Sequence, residues 1–274
     1  MSHHGQTALE VLKETSRTFF IPISRLPSGL LEAVASGYLC MRAIDEIEDH
    51  PDVDNTTKAL VLREISQVLQ SGVTGFTNPD FDRAFGPYAD QFPEVSRRLG
   101  EWASYAPSEI APRVWEATAA MADRMAYWAE RNWDVQTEYD LDRYTFSVAG
   151  SVGLLLSDLW AWHDGTQTDR IQAIGFGRGL QAVNILRNHR EDLERGVSFF
   201  PDGWTVKDLD EYARRNLQLA DRYTESLPKG PARDFCELPL ALAHATLDAM
   251  THGFPKLTRS QVMAVVAQFT GLRG

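Results

Sequence analysis

The chain has 274 residues, with 38 Asp and Glu against 27 Lys and Arg, a formal net charge of −11 and a sequence pI of about 5.1. That length holds one large domain or two small ones, and 43% hydrophobic with 24% charged residues is the composition of a soluble globular protein. The acid excess excludes a nucleic-acid binder, which needs clustered Lys and Arg, and argues against charge-driven attachment to an anionic membrane; at face value it also opposes an anionic substrate.

The N-terminal stretch up to Arg17 has no basic segment followed by an apolar one, so no signal peptide is expected. Next, Leu30, Leu31, Val34, Tyr38, Met41, Ala43, Ile44 and Ile47 recur at three and four residues. They predict a helix over 29–49, opened by Pro27 and Ser28 and closed by His50 and Pro51. An amphipathic helix is expected over 56–71, followed by a loop over 72–90 with room for a short helix. A helix over 91–104 precedes the break framed by Pro107 and Pro112. Residues 113–133 read as a helix with Met121, Met125 and Trp128 on one stripe. Two long helices follow, over 138–162 and 169–195, then a short connector. Three more helices fall near 206–226, 231–250 and 259–271.

No alternating strand pattern, repeat or composition shift interrupts this series. The expected architecture is therefore all-α, a single-domain helical bundle over 1–274 with its longest helices at the centre. No apolar run reaches the roughly 18 residues of a transmembrane helix. Cys40 and Cys236 form no CxxC pair and read as buried free thiols in a soluble, cytoplasmic protein.

Two polar constellations stand out against the apolar helices. In RAIDEIEDHP, Asp45 and Asp49 lie four apart with Glu48 between, so all three share one helix face. Stacked like charges near a helix C-terminus are unfavourable unless a cation intervenes, and oxygen ligands at this spacing suit a hard cation such as magnesium. A solvated acidic helix end is the bland alternative. In the helix over 169–195, Gln181, Asn184, Asn188 and Asp192 fall at spacings of three, four and four. A line of amides and a carboxylate is expensive to bury unless satisfied. It is either a hydrogen-bond ladder to a neighbouring helix or, facing the first stripe, half of a metal site in the bundle core. Ions held there would grip a diphosphate and draw off its charge as it leaves, inside an otherwise apolar central cavity. Gly175, Gly177 and Gly179 follow no strand and form no GxGxxG, so they read as close helix packing rather than a phosphate loop.

Four blocks together resemble the squalene/phytoene synthase family. SRTFF at Ser16 to Phe20 is similar to its N-terminal signature, YLCMRAIDEIED to its first aspartate motif, YTFSVAGSVG at Tyr144 to Gly153 to its tyrosine motif, and NILRNHRED to its second aspartate motif. The resemblance implies an all-α isoprenoid-synthase fold and magnesium-dependent, head-to-head condensation of two farnesyl or geranylgeranyl diphosphates. It implies metal ligation by Asp45 and Asp49 and, opposite them, by Asn184, Asn188 and Asp192. It implies diphosphate contacts from Arg42, Arg187, Ser16 and Arg17. Phe19, Gln181 and Asn184 belong to its substrate-binding set, and Val148, Gly150 and Gly153 would shape the hole for the chain. Tyr144 would stand beside the reacting carbons, and Arg42, Asp45 and Asp49 would complete the catalytic set.

The departures are Asn188 where the family has Asp, Thr145 for Cys, Val197 for Arg and Phe199 for Tyr. An amide oxygen still ligates magnesium, but without the charge. These changes keep two other readings open: an enzyme of the same fold acting on one prenyl diphosphate, as a phosphatase or terpene cyclase, and an inactive lipid- or partner-binding member. Release of so apolar a product would bring peripheral membrane contact, although no anchor is visible. The net acidity no longer opposes an anionic substrate, because magnesium on clustered acids converts acidity into diphosphate affinity.

Overall fold

The computed structural model describes residues 3–71, 76 and 78–270, and among these every regular element is helical. Cα packing divides the chain into two compact units, Met1–Trp133 and Asp134–Gly274.

The first unit contains α1 (His3–Thr15), α2 (Arg17–Ile23), α3 (Leu30–Glu48), α4 (Asn55–Gln70), α5 (Asn78–Phe85), a 3-10 turn (Gly86–Gln91), α6 (Glu94–Arg97), α7 (Leu99–Tyr105) and α8 (Ala111–Glu130). Helix α3 is its axis and packs against α1, α2, α4, α6, α7 and α8. Leu30, Ala33, Leu39, Ala43, Ile44 and Ile47 are buried all along it, which the three-and-four spacing requires. Polar groups on its buried face are satisfied from outside: the Ser36 hydroxyl donates to the Trp102 carbonyl at 2.6 Å, and Ser96 donates to the Ala43 carbonyl at 2.8 Å.

Two helices are added in this unit and two expectations are corrected. The helices α1 and α2 have no counterpart in the sequence reading; Ser16 caps α2, its hydroxyl accepting from the Phe19 N–H at 3.1 Å. The expected helix over 91–104 is broken at Arg98, which leaves helical geometry between α6 and α7. The helix expected to reach Trp133 stops at Glu130, because Asn132 and Trp133 turn left-handed, with φ of 54° and 52°.

The second unit contains α9 (Glu138–Thr145), a π turn (Phe146–Gly150), α10 (Ser151–Asp164), α11 (Arg170–Glu194), α12 (Val206–Ser226), α13 (Pro231–Thr251) and α14 (Arg259–Thr270). The uninterrupted helix expected over 138–162 is therefore widened at its centre by one π turn. Side chains just before and within it bond backward along the helix, Thr145 to the Leu141 carbonyl at 2.8 Å and Ser147 to the Arg143 carbonyl at 2.7 Å, a pattern that loosens helical geometry.

Helix α11 packs against α9, the π turn, α10, α12 and α13. Glycines on α11 and on α10 make this possible. A Cβ on Gly177 would stand 2.0 Å from the Ala149 carbonyl oxygen in the π turn, and one on Gly153 would stand 1.9 Å from that of Ala173. Backbone meets backbone there, as the packing reading of the glycine run anticipates. Cys40 and Cys236 are both buried free thiols. Among the described residues no helix is long and apolar enough to cross a membrane.

Candidate functional site

The first unit brings together most of its predicted site residues around the C-terminal half of α3. Carboxylate oxygens of Asp45, Glu48 and Asp49 lie within 4.8 Å of one another. Asp49 is exposed, Asp45 is half-buried and Glu48 is buried. Burial, then the neighbouring Asp49 charge, lifts the Asp45 carboxyl to about 6, against the pull of Arg42. Burial and the charges of Asp49 and Asp45 likewise push Glu48 well above the usual carboxylate range. The same helix supplies the counter-charge: the Arg42 guanidinium donates to Asp45 at 2.6 Å and to Glu46. Its buried Nε finds no partner among the described residues.

One turn earlier, Tyr38 lies between this acidic end and α2. Its ring centroid is 5.9 Å from that of Phe19, and Ser16, Arg42 and Asp45 all act on its hydroxyl. Ser16, Phe19, Arg42, Asp45 and Asp49 thus form one neighbourhood. The side chain of Arg17 lies outside the described residues.

Sequence reasoning missed three contributors. Glu48 is an equal third member of the cluster, although the DxxxD reading placed it only between two ligands. Its carboxylate accepts from the Trp133 indole N–H, and Lys58 stands over the Trp133 ring at 5.2 Å from the centroid. The available signal was its position on the same helix face as Asp45 and Asp49. Trp133 and Lys58 come from distant segments and gave none.

The cluster fits a hard divalent cation. All three donors are carboxylate oxygens, and three crowded acids, offset by Arg42 beside Asp45 and Lys58 near Glu48, leave negative charge that burial makes costly.

In the second unit, the Asn184 and Asn188 amides of the stripe bond along their own helix rather than to a neighbouring one. Asn188 donates to the Asn184 side-chain oxygen at 3.4 Å. Arg187 donates to the same oxygen of Asn184 and, at 3.2 Å, to that of Asn188. The two oxygens proposed as metal ligands therefore already face one cation, a guanidinium. Asp192 is buried and paired with Arg195 at 2.7 Å, and Lys256 reaches Glu191 at 2.5 Å. Gln181 is half-buried on the same helix.

Tyr144 is buried and stacked on Phe199, with centroids 4.5 Å apart and planes 19° from parallel. Val148 and Gly150 lie in the π turn. Gly153 is packed against the α11 backbone, so its side-chain-free face serves helix approach. Thr145, which stands where the family has Cys, joins a network in which the Tyr212 hydroxyl donates to Asp142 at 2.8 Å and lies 3.0 Å from the Thr145 hydroxyl.

The family model for squalene/phytoene synthase matches residues 12–211. The squalene synthase of Schizosaccharomyces pombe is 30% identical over 88% of this chain and 58% of its own length, and that of Rattus norvegicus is 26% identical over 99% and 71%. Among solved structures, a TcSQS–ligand complex is similar with a TM-score of 0.77 at 21% identity, covering 96% of this chain and 85% of that one. A dehydrosqualene synthase in complex with ligand matches with a TM-score of 0.69 at 18% identity, over 98% and 95%. These likenesses show the isoprenoid-synthase helical fold. The chain belongs to the squalene/phytoene synthase family, whose members are enzymes that join prenyl chains head to head.

Proposed function

We propose that this protein is a magnesium-dependent prenyltransferase that condenses two farnesyl or geranylgeranyl diphosphates head to head, with residues 1–274 acting as one catalytic domain. The observation that carries this reading is the cluster of Asp45, Glu48 and Asp49, whose oxygens come within 4.8 Å of one another beside Arg42. Asp45 and Asp49 would hold metal from the first motif, with Glu48 beside them, and Asn184, Asn188 and Asp192 from the second. Bound magnesium supplies positive charge to diphosphate oxygens and to the departing diphosphate.

The chain's own residues have the remaining work. Arg42 and Arg187 are tied by ionic or amide contacts to the acids and amides beside them, and each presents a fork suited to diphosphate oxygens. The half-buried Ser16 and Phe19 would border the same substrate, together with Arg17. Tyr144, stacked on Phe199, would offer its aromatic ring to cationic carbon. Gln181, Val148, Gly150 and Gly153 complete the substrate-binding set. Fixed aromatic and apolar surfaces exclude water from a reactive cation, which otherwise ends as an alcohol.

The test is purified protein with magnesium and farnesyl or geranylgeranyl diphosphate, products being read by mass spectrometry. A thirty- or forty-carbon product is the expected result. A fifteen- or twenty-carbon alcohol or hydrocarbon would replace this reading with single-substrate chemistry, to which Asn188 would then be the pointer. Unchanged substrate would replace it with a binding role. Peripheral contact with a lipid surface at product release is part of the same proposal and is read by vesicle co-sedimentation.

A further inference from the structure

The buried carboxylate of Glu48 is reached from 85 residues away by the indole N–H of Trp133. Three other buried tryptophans satisfy their N–H groups on neutral acceptors: Trp102 on the Val95 carbonyl, Trp115 on the Ala103 carbonyl and Trp160 on the Tyr223 hydroxyl. Trp133 donates to a member of the acidic cluster, and it does so from an uncommon backbone. Asn132 and Trp133 are consecutive non-glycine residues with φ of 54° and 52°. Asn tolerates that region, whereas a bulky side chain occupies it only where the surroundings over-determine it.

Those surroundings are visible. The Trp133 N–H donates to the Trp128 carbonyl at 2.9 Å and that of Asn132 to Ala129 at 3.0 Å, which closes the turn on the end of α8. The Asn55 amide donates to the Asn132 side-chain oxygen at 2.7 Å, which ties the turn to the start of α4. One turn further along α4, the buried Lys58 stands over the indole ring.

We propose that Trp133 is the positioning residue of Glu48: the left-handed Asn132–Trp133 turn, clamped by Asn55 and Lys58, aims the indole N–H at one carboxylate oxygen and so fixes Glu48 to join Asp45 and Asp49 around a divalent cation. An indole nitrogen donates and never accepts, so it engages lone pairs of Glu48 without competing for the metal. A carboxylate held in one rotamer loses less freedom on binding a cation, and outer-sphere hydrogen bonds of this kind tune metal affinity. The inference rests on the metal-holding reading of the cluster.

The test uses Mn2+ alone as probe, with free Mn2+ followed by electron paramagnetic resonance, on the full chain. Trp133→Phe keeps the ring and removes the N–H. It is expected to weaken Mn2+ binding by about tenfold while retaining the helical circular dichroism and a cooperative melt in EDTA. Trp115→Phe, which removes an indole bond to a backbone carbonyl, is expected to keep wild-type affinity. Equal Mn2+ affinity in wild type and Trp133→Phe overturns the inference alone, as does an equal loss in Trp115→Phe. A wild-type chain that binds no Mn2+ overturns the metal reading and the inference with it. Should Trp133→Phe fail to fold, Asn55→Ala carries the test: it leaves Trp133 and the cluster intact, is expected to weaken Mn2+ binding by a smaller factor, and overturns the inference if affinity is unchanged.

Discussion

The Asp45 carboxylate is costly to the fold and necessary to the proposed site, so replacing it should shift stability in opposite directions with and without metal. Its displacement from 3.8 to about 6 corresponds to about 3 kcal/mol against the charged form. The side chain keeps 37% of its surface in solvent, and screening there reduces the figure to about 1.5 kcal/mol. The sign follows from the direction of the displacement. Below the unfolded value Asp45 is protonated in both states and costs nothing. Between 3.8 and about 6 the unfolded chain ionises first, and above about 6 the native state bears the whole cost. Asp45→Asn in EDTA near neutral pH should therefore raise the thermal midpoint by about 3 °C, and the gain should vanish as pH falls below the unfolded value. Magnesium at about one hundred times its dissociation constant stabilises a binding protein by about 2.7 kcal/mol. Wild type should then exceed the variant by about 1 kcal/mol, reversing the order. Thermal melts in EDTA and in magnesium, at neutral and acidic pH, measure all three. A variant less stable than wild type in EDTA, or equally stabilised by magnesium, refutes the reasoning.

Asp45→Asn should also abolish product formation while leaving far-ultraviolet circular dichroism unchanged; retained turnover removes Asp45 from the metal set. Asn188→Asp restores the charge expected at that position and gives Arg187 a charged partner, so product formation should be unchanged or higher in a steady-state assay. A large loss would assign the Asn188 amide a specific donor role, such as its bond to Asn184. Gly177→Ala should destabilise by about 3 kcal/mol or more in urea titration, because the new Cβ meets the Ala149 backbone oxygen at 2.0 Å and no side chain is available to move. A loss below about 1 kcal/mol would show that α11 and the π turn separate freely. Burial pushes the Cys40 thiol to about 12 and raises that of Cys236 further, so neither should react with a disulfide reagent at neutral pH until guanidinium unfolds the chain. Rapid native labelling would contradict their burial.

Much of the fold was legible because one period dominates. The apolar spacing along α3 and α11 survives in the sequence whatever packs against it, so both helices, their polar stripes and the glycine run could be read directly. Asp45, Asp49, Asn184 and Asn188 fall at spacings of four, which a helix converts into one face without reference to the rest of the chain. Breaks were less legible. The π turn at Phe146–Gly150 and the interruption at Arg98 arise where side-chain back-bonding or neighbouring packing competes with helix geometry, and no punctuation in the sequence records that competition.

What the sequence by itself determined was the helical class, the acidic and amide stripes and their likeness to one family, because all of these are local patterns. Tertiary structure decided which polar groups act together. It buried Glu48, raised Asp45 and carried Trp133 across 85 residues to the acidic cluster. A hydrogen bond or a buried charge depends on distance and on the water excluded around it, and both come into being only when remote segments meet.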